Sequence, residues 1–398
     1  MNEWIIIGGG IHGMTLATFL LKSGKTTKEK LRIIDRNAEP LANWKRNTDV
    51  ISMPYLRSPS VHHIDADPFS LQSFVKLGSY SPRSAFYGQY KRPSLQIFND
   101  HCEHVINDLS LKETWVQGCV QGVLKTADGW ELQLKDGNKI YGKRLALAIG
   151  FGNQLKKPDW ATQIETNYPG RIFHVFDKTM PKFDELNLPI TIIGGGITSI
   201  HLAIKLSMLY PKQVTLLKRH PFRIHDFDSD PGWLGPKRQT AFRNIETYPR
   251  RRMEIITARN LGSFPHDLYI KLLNLVKDGA LILKEGNVVR AEAKIGELNL
   301  FGKDNKFISL TGTVLLATGF LPSLPESEWI KPMINTMKLP CAECGYPVVS
   351  ETLQWAPDLF VMGGLAELEI GPIARNISGA RQAAERIVNH IPYLGLLY

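Results

Sequence analysis

An α/β architecture of two strand–turn–helix–strand units, the second inserted into the first, is the fold class the sequence predicts. Three observations predict it. Gly8-Gly9-Gly10-Ile11-His12-Gly13 follows a short apolar run, and Gly194-Gly195-Gly196-Ile197-Thr198-Ser199 follows another. Two further apolar runs, residues 145–150 and 314–320, end on glycine or just past it, as if each closed one lobe.

The first unit is read in order. Residues 4–7 form a buried parallel strand, the glycine turn follows at once, and residues 14–22 form a helix. A second apolar strand, 31–34, ends at Asp35, 22 residues beyond Gly13. Strand, glycine turn, helix, strand and terminal acid together specify a Rossmann unit, whereas the glycines alone would not. Gly8 permits the tight turn. Gly10 lets backbone N–H groups approach a pyrophosphate at the helix N-terminus, and Gly13 allows close helix–sheet packing. Asp35 would accept hydrogen bonds from a ribose diol and repel a 2′-phosphate, so this half is expected to hold FAD or NAD rather than NADP.

The second unit repeats the pattern: strand 189–193, the glycine turn, a helix to about residue 209, and strand 213–217. Gly194 and Gly196 take the places of Gly8 and Gly10, Thr198 opens the helix, and Ser199 replaces the third glycine with a small residue. Lys218-Arg219-His220 stands where Asp35 stands in the first unit. An arginine there suits a phosphate, so Arg219 points to NADPH.

Residues 115–120, 129–134 and 139–141 alternate as strands, with Asp136-Gly137 as a hairpin turn. Residues 359–364 read as one more buried strand, and Gly371-Pro372 opens a helix over about 373–388. Pro372 either only starts this C-terminal helix or, in a flavoprotein, sets a helix N-terminus toward the flavin pyrimidine, where it would favour the anionic reduced form. The expected layout is two Rossmann-like dinucleotide-binding domains: an FAD domain at about 1–165 and 315–398 enclosing an NADPH domain at about 166–314.

Composition agrees with this reading. The 398 residues carry 48 Lys+Arg against 38 Asp+Glu and are 43% hydrophobic, which excludes disordered, collagenous and coiled-coil chains. No apolar stretch approaches the roughly 18–20 residues of a membrane span, and the N-terminus carries an acid where a secretory signal is basic, so a cytoplasmic protein is expected. Four cysteines are too few for a disulfide framework. The basic excess is concentrated between Lys212 and Arg259, including Arg250-Arg251-Arg252. Asp226, Asp228 and Asp230 interrupt it and no stacking aromatic array accompanies it, so it reads as a solvated face or a phosphate contact and not as a nucleic-acid surface.

The paired glycine units, the Ala317-Thr318-Gly319 strand end and the C-terminal Gly363-Gly364 resemble the two-dinucleotide flavoproteins, among them disulfide reductases and flavin monooxygenases. Tyr168-Pro-Gly170-Arg-Ile-Phe-His174 looks like the Phe-x-Gly-x-x-x-His fingerprint of class B flavoprotein monooxygenases, with Lys178 in place of its terminal aromatic. Trp44, Met53, Tyr55-Leu56-Arg57 and Asp67-Pro68-Phe69-Ser70 are similar to the N-terminal region of the lysine and ornithine N-hydroxylases.

The resemblance implies FAD on Trp44, Met53, Gly363 and Gly364, and a substrate wall containing Arg57, with a carboxylate paired to its guanidinium and a distal neutral amine at the flavin. Apart from the resemblance, the doublet His62-His63 reads either as surface or hydrogen-bonded core residues or as flanking the substrate channel. Pro54 stands where that branch has Gln, and His201 replaces an acid common after the second glycine turn. The activity implied is an NADPH-dependent monooxygenase that N-hydroxylates a small amine with O₂ through a flavin hydroperoxide, with no catalytic acid or base and no metal. A reductase passing electrons to a quinone or protein is the alternative. The redox cysteine pairs of the disulfide reductases are absent from residues 37–50 and 170–189. Cys341-Ala-Glu-Cys344 reads as loop thiols, and Cys102 with His101 and His104 is the one cluster that could complete a zinc site. Homo-oligomerisation is compatible with the sequence without being specified by it.

Overall fold

The computed structural model describes residues 1–392 except 79, 151–153, 295, 322 and 326–327. Along the chain the first elements are β1 (Asn2–Ile7), α1 (Ile11–Lys22), β2 (Leu31–Asp35) and α2 (Ala42–Ile51). α3 (Leu95–Asp108), β3 (Trp115–Gln117), β4 (Val120–Thr126), β5 (Gly129–Leu134) and β6 (Lys139–Leu147) follow. β1 pairs in parallel with β2 on one side and β6 on the other, and β2 with β3. β4, β5 and β6 form an antiparallel meander.

Two expectations change here. The expected strand 115–120 is two strands: β3 extends the parallel sheet beside β2, and β4 enters the meander after the turn at Gly118-Cys119. Conversely, the polar run 139–141 and the apolar run 145–150 share one strand, β6, which ends at Leu147. Its first half pairs with β5 at the rim, and its second half, buried at Leu145, Ala146 and Leu147, pairs with β1 in the core.

The second sheet is built from β7 (Ile172–His174), β8 (Ile190–Ile193), β9 (Val214–Lys218), β10 (Leu281–Glu285) and β11 (Thr313–Leu316). Their spatial order is β10-β9-β8-β11-β7, all parallel. α4 (Ile197–Leu209) crosses from β8 to β9, and α7 (His266–Lys277) precedes β10; α5 (Pro236–Arg243) and α6 (Tyr248–Ala258) lie between. Successive residues of this sheet face opposite layers. Leu216 and Leu315 join the core under α4 and α7, while Leu217 and Leu316 pack with Trp160 and Leu298 on the far side. That two-sided burial explains the uninterrupted apolar runs of its strands.

The chain then returns. β12 (Gln354–Ala356) and β13 (Leu359–Val361) complete the first sheet, β13 in parallel with β6, and α8 (Ile377–His390) packs on α1. The return strand expected over 314–320 stops at Leu316, where Ala317–Gly319 turns away with Gly319 at φ +79.

α5, α6 and the turn before them depart from the expected 166–314 unit in their packing: Trp233 of the turn, Phe242 and Ile255 are buried in the core of the first sheet. The reason is electrostatic as well as apolar. Arg251 donates to Glu369 at 3.0 Å, Arg252 pairs with Glu367, and Arg375 and Arg386 complete the group at 2.7 and 3.2 Å. Two residues of the basic run are therefore half-buried structural partners of buried acids; Arg250 alone is exposed. Among the described residues, no helix is long and apolar enough to cross a membrane.

Candidate functional site

In open parallel sheets, ligands bind in the crevice beyond the carboxyl ends of the strands. The first glycine turn lies there, between β1 and α1. Gly8 has φ +108, a conformation that disfavours any side chain, and a Cβ on it would lie 2.5 Å from the Ala148 carbonyl oxygen. Gly13 is equally constrained, since a Cβ there would stand 1.8 Å from the Gly8 carbonyl oxygen. Gly10, the N-cap of α1, is different: nothing lies within 4 Å of where its Cβ would be. The helix thus presents open N-terminal N–H groups beside a surface free of side chains, which fits a pyrophosphate.

Asp35 ends β2 and reaches back to this turn. One carboxylate oxygen accepts from the Gly9 nitrogen at 2.8 Å, the other from the Asn37 backbone and side-chain nitrogens at 2.8 and 2.7 Å. A cleft of about 200 Å³ opens along Gly8, Asp35, Arg36, Cys119, Lys135 and Trp329. Sequence reasoning missed Trp115 and Leu41. The Trp115 ring covers Gly9, whose Cβ would lie 2.0 Å from it, and the Leu41 nitrogen donates to the Gly9 carbonyl at 2.8 Å. Neither belongs to a local pattern that would have exposed it.

At the opposite wall Gly363, with φ +64, lies against the His12 ring, and Gly364 continues into a short turn of 3₁₀-helix. Burial pushes the His12 imidazole down to about 4, so it is neutral at physiological pH. Pro372 does not open the C-terminal helix. Residues 371–374 form a turn closed by an Ala374-to-Gly371 bond of 3.0 Å, and α8 starts only after Asn376. Gly379 is the reason this fits: a Cβ there would lie 2.1 Å from the Ile373 carbonyl, so the turn folds back over the helix.

The second glycine turn has the same build. Gly194 carries φ +153 against the Ala317 carbonyl, and the buried Ser199 hydroxyl donates to the Gly196 carbonyl at 2.7 Å. The hydroxyl that replaces the third glycine thus finds a partner inside the turn. Thr198 lies in the first turn of α4. Gly196 faces Gly262 across 3.1 Å, measured from its would-be Cβ. Arg219 is exposed just past β9, while Lys218 turns inward to pair with Glu285.

The two sheets are joined by a pair of crossing segments. Lys156 donates to Gly319 at 2.9 Å, Leu321 to Gln154 at 2.8 Å, and the Thr318 hydroxyl to the Lys156 carbonyl. His174 fastens them: its Nε2–H donates to the Gly319 carbonyl at 3.0 Å, and burial holds its pKa at about 4. The histidine of the sequence fingerprint therefore serves the crossing point.

Of the expected substrate wall, Trp44 donates to Asn99 at 3.0 Å and packs on Phe98, and Met53 lies where the two cores meet. His63 is corrected. It is fully enclosed, with Nε2–H donating to Pro68 and Nδ1 accepting from Asp65, both at 3.2 Å, and with its ring against His101. A side chain with no exposed surface touches no substrate. Arg57 is tied as well, Nε to the Asp226 carbonyl at 2.8 Å and Nη2 to the His225 carbonyl and Ser263 hydroxyl at 2.6 and 2.9 Å. In the acidic loop, Asp228 pairs with Arg259 at 3.1 Å and Asp230 accepts from Gly232 at 2.6 Å.

A family model described as FAD-NAD(P)-binding matches residues 5–152, the stretch holding the first glycine turn and Asp35. No curated protein sequence matches the chain. Among solved structures, the FAD-bound cadaverine monooxygenase of desferrioxamine biosynthesis from Erwinia amylovora is similar over 99% of this chain and 96% of its own, with a TM-score of 0.75 at 15% identity. The reduced ornithine hydroxylase of Pseudomonas aeruginosa gives 0.70 at 17% identity, with 98% of both chains covered. A bacillithiol disulfide reductase from Bacillus cereus gives 0.58 at 18%, again with 98% of both covered. The fold is that of flavoproteins with two dinucleotide-binding units.

Proposed function

We propose that the protein is an FAD-dependent, NADPH-consuming monooxygenase that N-hydroxylates a small amine. The observation that carries this reading is the pair of glycine-turn helix N-termini, open at Gly10 and closed over by the Gly262 backbone at Gly196, within a fold shared end to end with a cadaverine monooxygenase and an ornithine hydroxylase. Gly8, Gly10, Gly13 and Asp35 hold the FAD pyrophosphate and ribose, Trp44, Met53, Gly363 and Gly364 line the rest of the FAD site, and Pro372 sits in the turn beyond them. Gly194, Gly196, Thr198, Ser199 and Arg219 hold NADPH. The FAD unit is taken as residues 1–165 and 315–398 and the NADPH unit as 166–314, with α5 and α6 of the latter packed on the core of the first sheet.

The bound flavin supplies the redox chemistry, taking electrons from NADPH and activating O₂. The chain's own contribution is binding, orientation and exclusion of water. Backbone N–H groups at Gly10 and Ile11 meet the pyrophosphate charge without a competing side chain. The substrate amine must arrive neutral, because a protonated nitrogen has no lone pair to react. Residues 53–56, adjoining α2, form one wall of the substrate space, and Arg57 beyond them is committed to protein partners.

The second reading, a reductase delivering electrons to a quinone or protein without oxygenation, draws on the likeness to the disulfide reductase. Incubating the FAD-loaded protein with NADPH, O₂ and a panel of amines and amino acids separates the two. A product heavier by one oxygen supports the monooxygenase. Peroxide alone across the panel, with fast quinone or protein reduction, overturns it.

A further inference from the structure

Two arginines of the first unit have their partners in the second. Arg92 lies in the short antiparallel pair Phe86–Tyr87 and Arg92–Pro93, is 8% exposed, and spans both oxygens of Asp267 at 3.2 and 3.0 Å. Asp267 is in the first turn of α7, whose Leu268 and Leu272 lie in the core under the second sheet. Arg57 grips a different place, the carbonyls of His225 and Asp226 and the hydroxyl of Ser263. Tyr87 links the two grips: Arg92 stands 4.9 Å above its ring, and Tyr55 packs on it at 5.1 Å.

Neither contact serves the internal fold of its own unit. Asp267, an acid in the first turn of α7, is favoured there by the helix dipole without Arg92. Residues 225 and 226 flank a strand pair, Arg223–Ile224 with Ser263–Phe264, that closes without Arg57. What the arginines add is relative placement. One attachment leaves a pivot, whereas two attachments at separate points remove the rotation. The pair also abuts the helix that matters most: the buried His201 of α4 lies beside Asp267 and Arg92, and α4 begins at the second glycine turn.

We propose that Arg57 and Arg92 are positioning residues that fix the orientation of the second glycine-turn unit against the first, so that a nicotinamide held by one unit meets the flavin held by the other at the reacting angle. This rests on the reading of two nucleotide sites given above. A bidentate, desolvated arginine–carboxylate pair suits the task because its geometry is specified as well as its strength. Both guanidinium groups are engaged by protein partners, and the two arginines act through the placement of α4 and α7.

The test uses the FAD-loaded full chain and the variants Arg92→Ala, Asp267→Asn and Arg57→Ala, with the reversed pair Arg92→Asp/Asp267→Arg. The limiting rate of anaerobic flavin bleaching at saturating NADPH is expected to fall about ten- to a hundredfold in each single variant, the scale set by a displacement near 1 Å. FAD content and the dithionite end point stay unchanged, and the reversed pair regains most of the rate. Hydrogen exchange accelerates at residues 86–95 and 263–270 in Arg92→Ala but not in α1. Unchanged limiting rates in all three single variants overturn the proposal, as does a fall the reversed pair does not relieve. The mild Asp267→Asn keeps the test open if an arginine variant fails to fold. If NADPH leaves the unsubstituted protein oxidised, the function proposed above fails, and exchange decides the clamp by itself: loosening on both faces supports it and unaltered exchange refutes it.

Discussion

The Asp35 carboxylate lies 2.8 Å from the Gly9 backbone nitrogen, so the acid at the end of the second strand braces the turn that follows the first. Its other oxygen orders Asn37, whose carbonyl in turn accepts from the Trp115 indole at 3.2 Å. Asp35→Ala removes this brace and a ribose acceptor together. Hydrogen bonds to a charged group contribute roughly 1.5–3 kcal/mol, so FAD retention should weaken about ten- to a hundredfold. Asp35→Asn, which keeps one acceptor, should fall between. Equilibrium dialysis of the flavin checks the order, and equal retention in all three proteins would remove Asp35 from the site.

Gly8 and Gly13 on one side and Gly10 on the other are needed for opposite reasons, and the contrast is measurable. Gly13→Ala drives a methyl into the Gly8 carbonyl, 1.8 Å away, and should cost about 1–3 kcal/mol of stability, as overpacking does. Gly10→Val meets open space, so thermal unfolding of the flavin-free protein should stay close to that of the parent while flavin binding is lost. If Gly10→Val retains stoichiometric FAD, the pyrophosphate is not at this helix end.

Features encoded within about 35 residues were legible in the sequence, because turn, helix and strand periodicities are local. Both glycine turns, α1, α4, β2 and the acid at position 35 fall where the pattern puts them. Features that depend on distant partners were not. Arg57 is 169 residues from Asp226, and Arg252 is 115 from Glu367; only the three-dimensional fold shows that these cations are committed. One overlooked signal existed: Glu367 and Glu369 stand inside an otherwise apolar run, and buried acids require paired cations. His63 was misread as channel-lining because a histidine doublet carries no mark of burial. Pro372 was misread as a helix start because the fold-back over Gly379 cannot be seen in a local window.

Buried neutral histidines make the protein acid-sensitive in a defined range. Burial holds His63 at about 4 and His101 at about 3, against 6.5 in the unfolded chain, and His62, His174 and His201 are pushed to about 4 in the same way. Between these values the unfolded state binds more protons than the folded state, so stability rises with pH across the interval. It is complete above about pH 6.5 and is lost as pH falls toward about 4. For His63 alone the loss is on the order of 3 kcal/mol. Denaturant midpoints from pH 7.5 to 4.5 should decline, and His63→Gln should flatten the slope; a midpoint independent of pH over that range would contradict the burial of neutral imidazoles.

In the proposed function, coenzyme choice turns on the residue after β9. Lys218 is withdrawn into its pair with Glu285, which leaves Arg219, exposed at the strand end, as the residue proposed to read a ribose 2′-phosphate. An arginine–phosphate contact contributes roughly 1.5–3 kcal/mol, a ten- to hundredfold preference. Arg219→Ala should therefore raise the NADPH Michaelis constant by about that factor and leave the NADH constant nearly unchanged, with FAD content unaltered. Adding salt should erode the preference of the parent protein, because an exposed charge pair is screened within about 10 Å at 0.1 M ionic strength. Steady-state NADPH and NADH oxidation, measured side by side at two ionic strengths, distinguishes the outcomes: equal losses for both coenzymes would show that Arg219 supports the strand end without reading the phosphate.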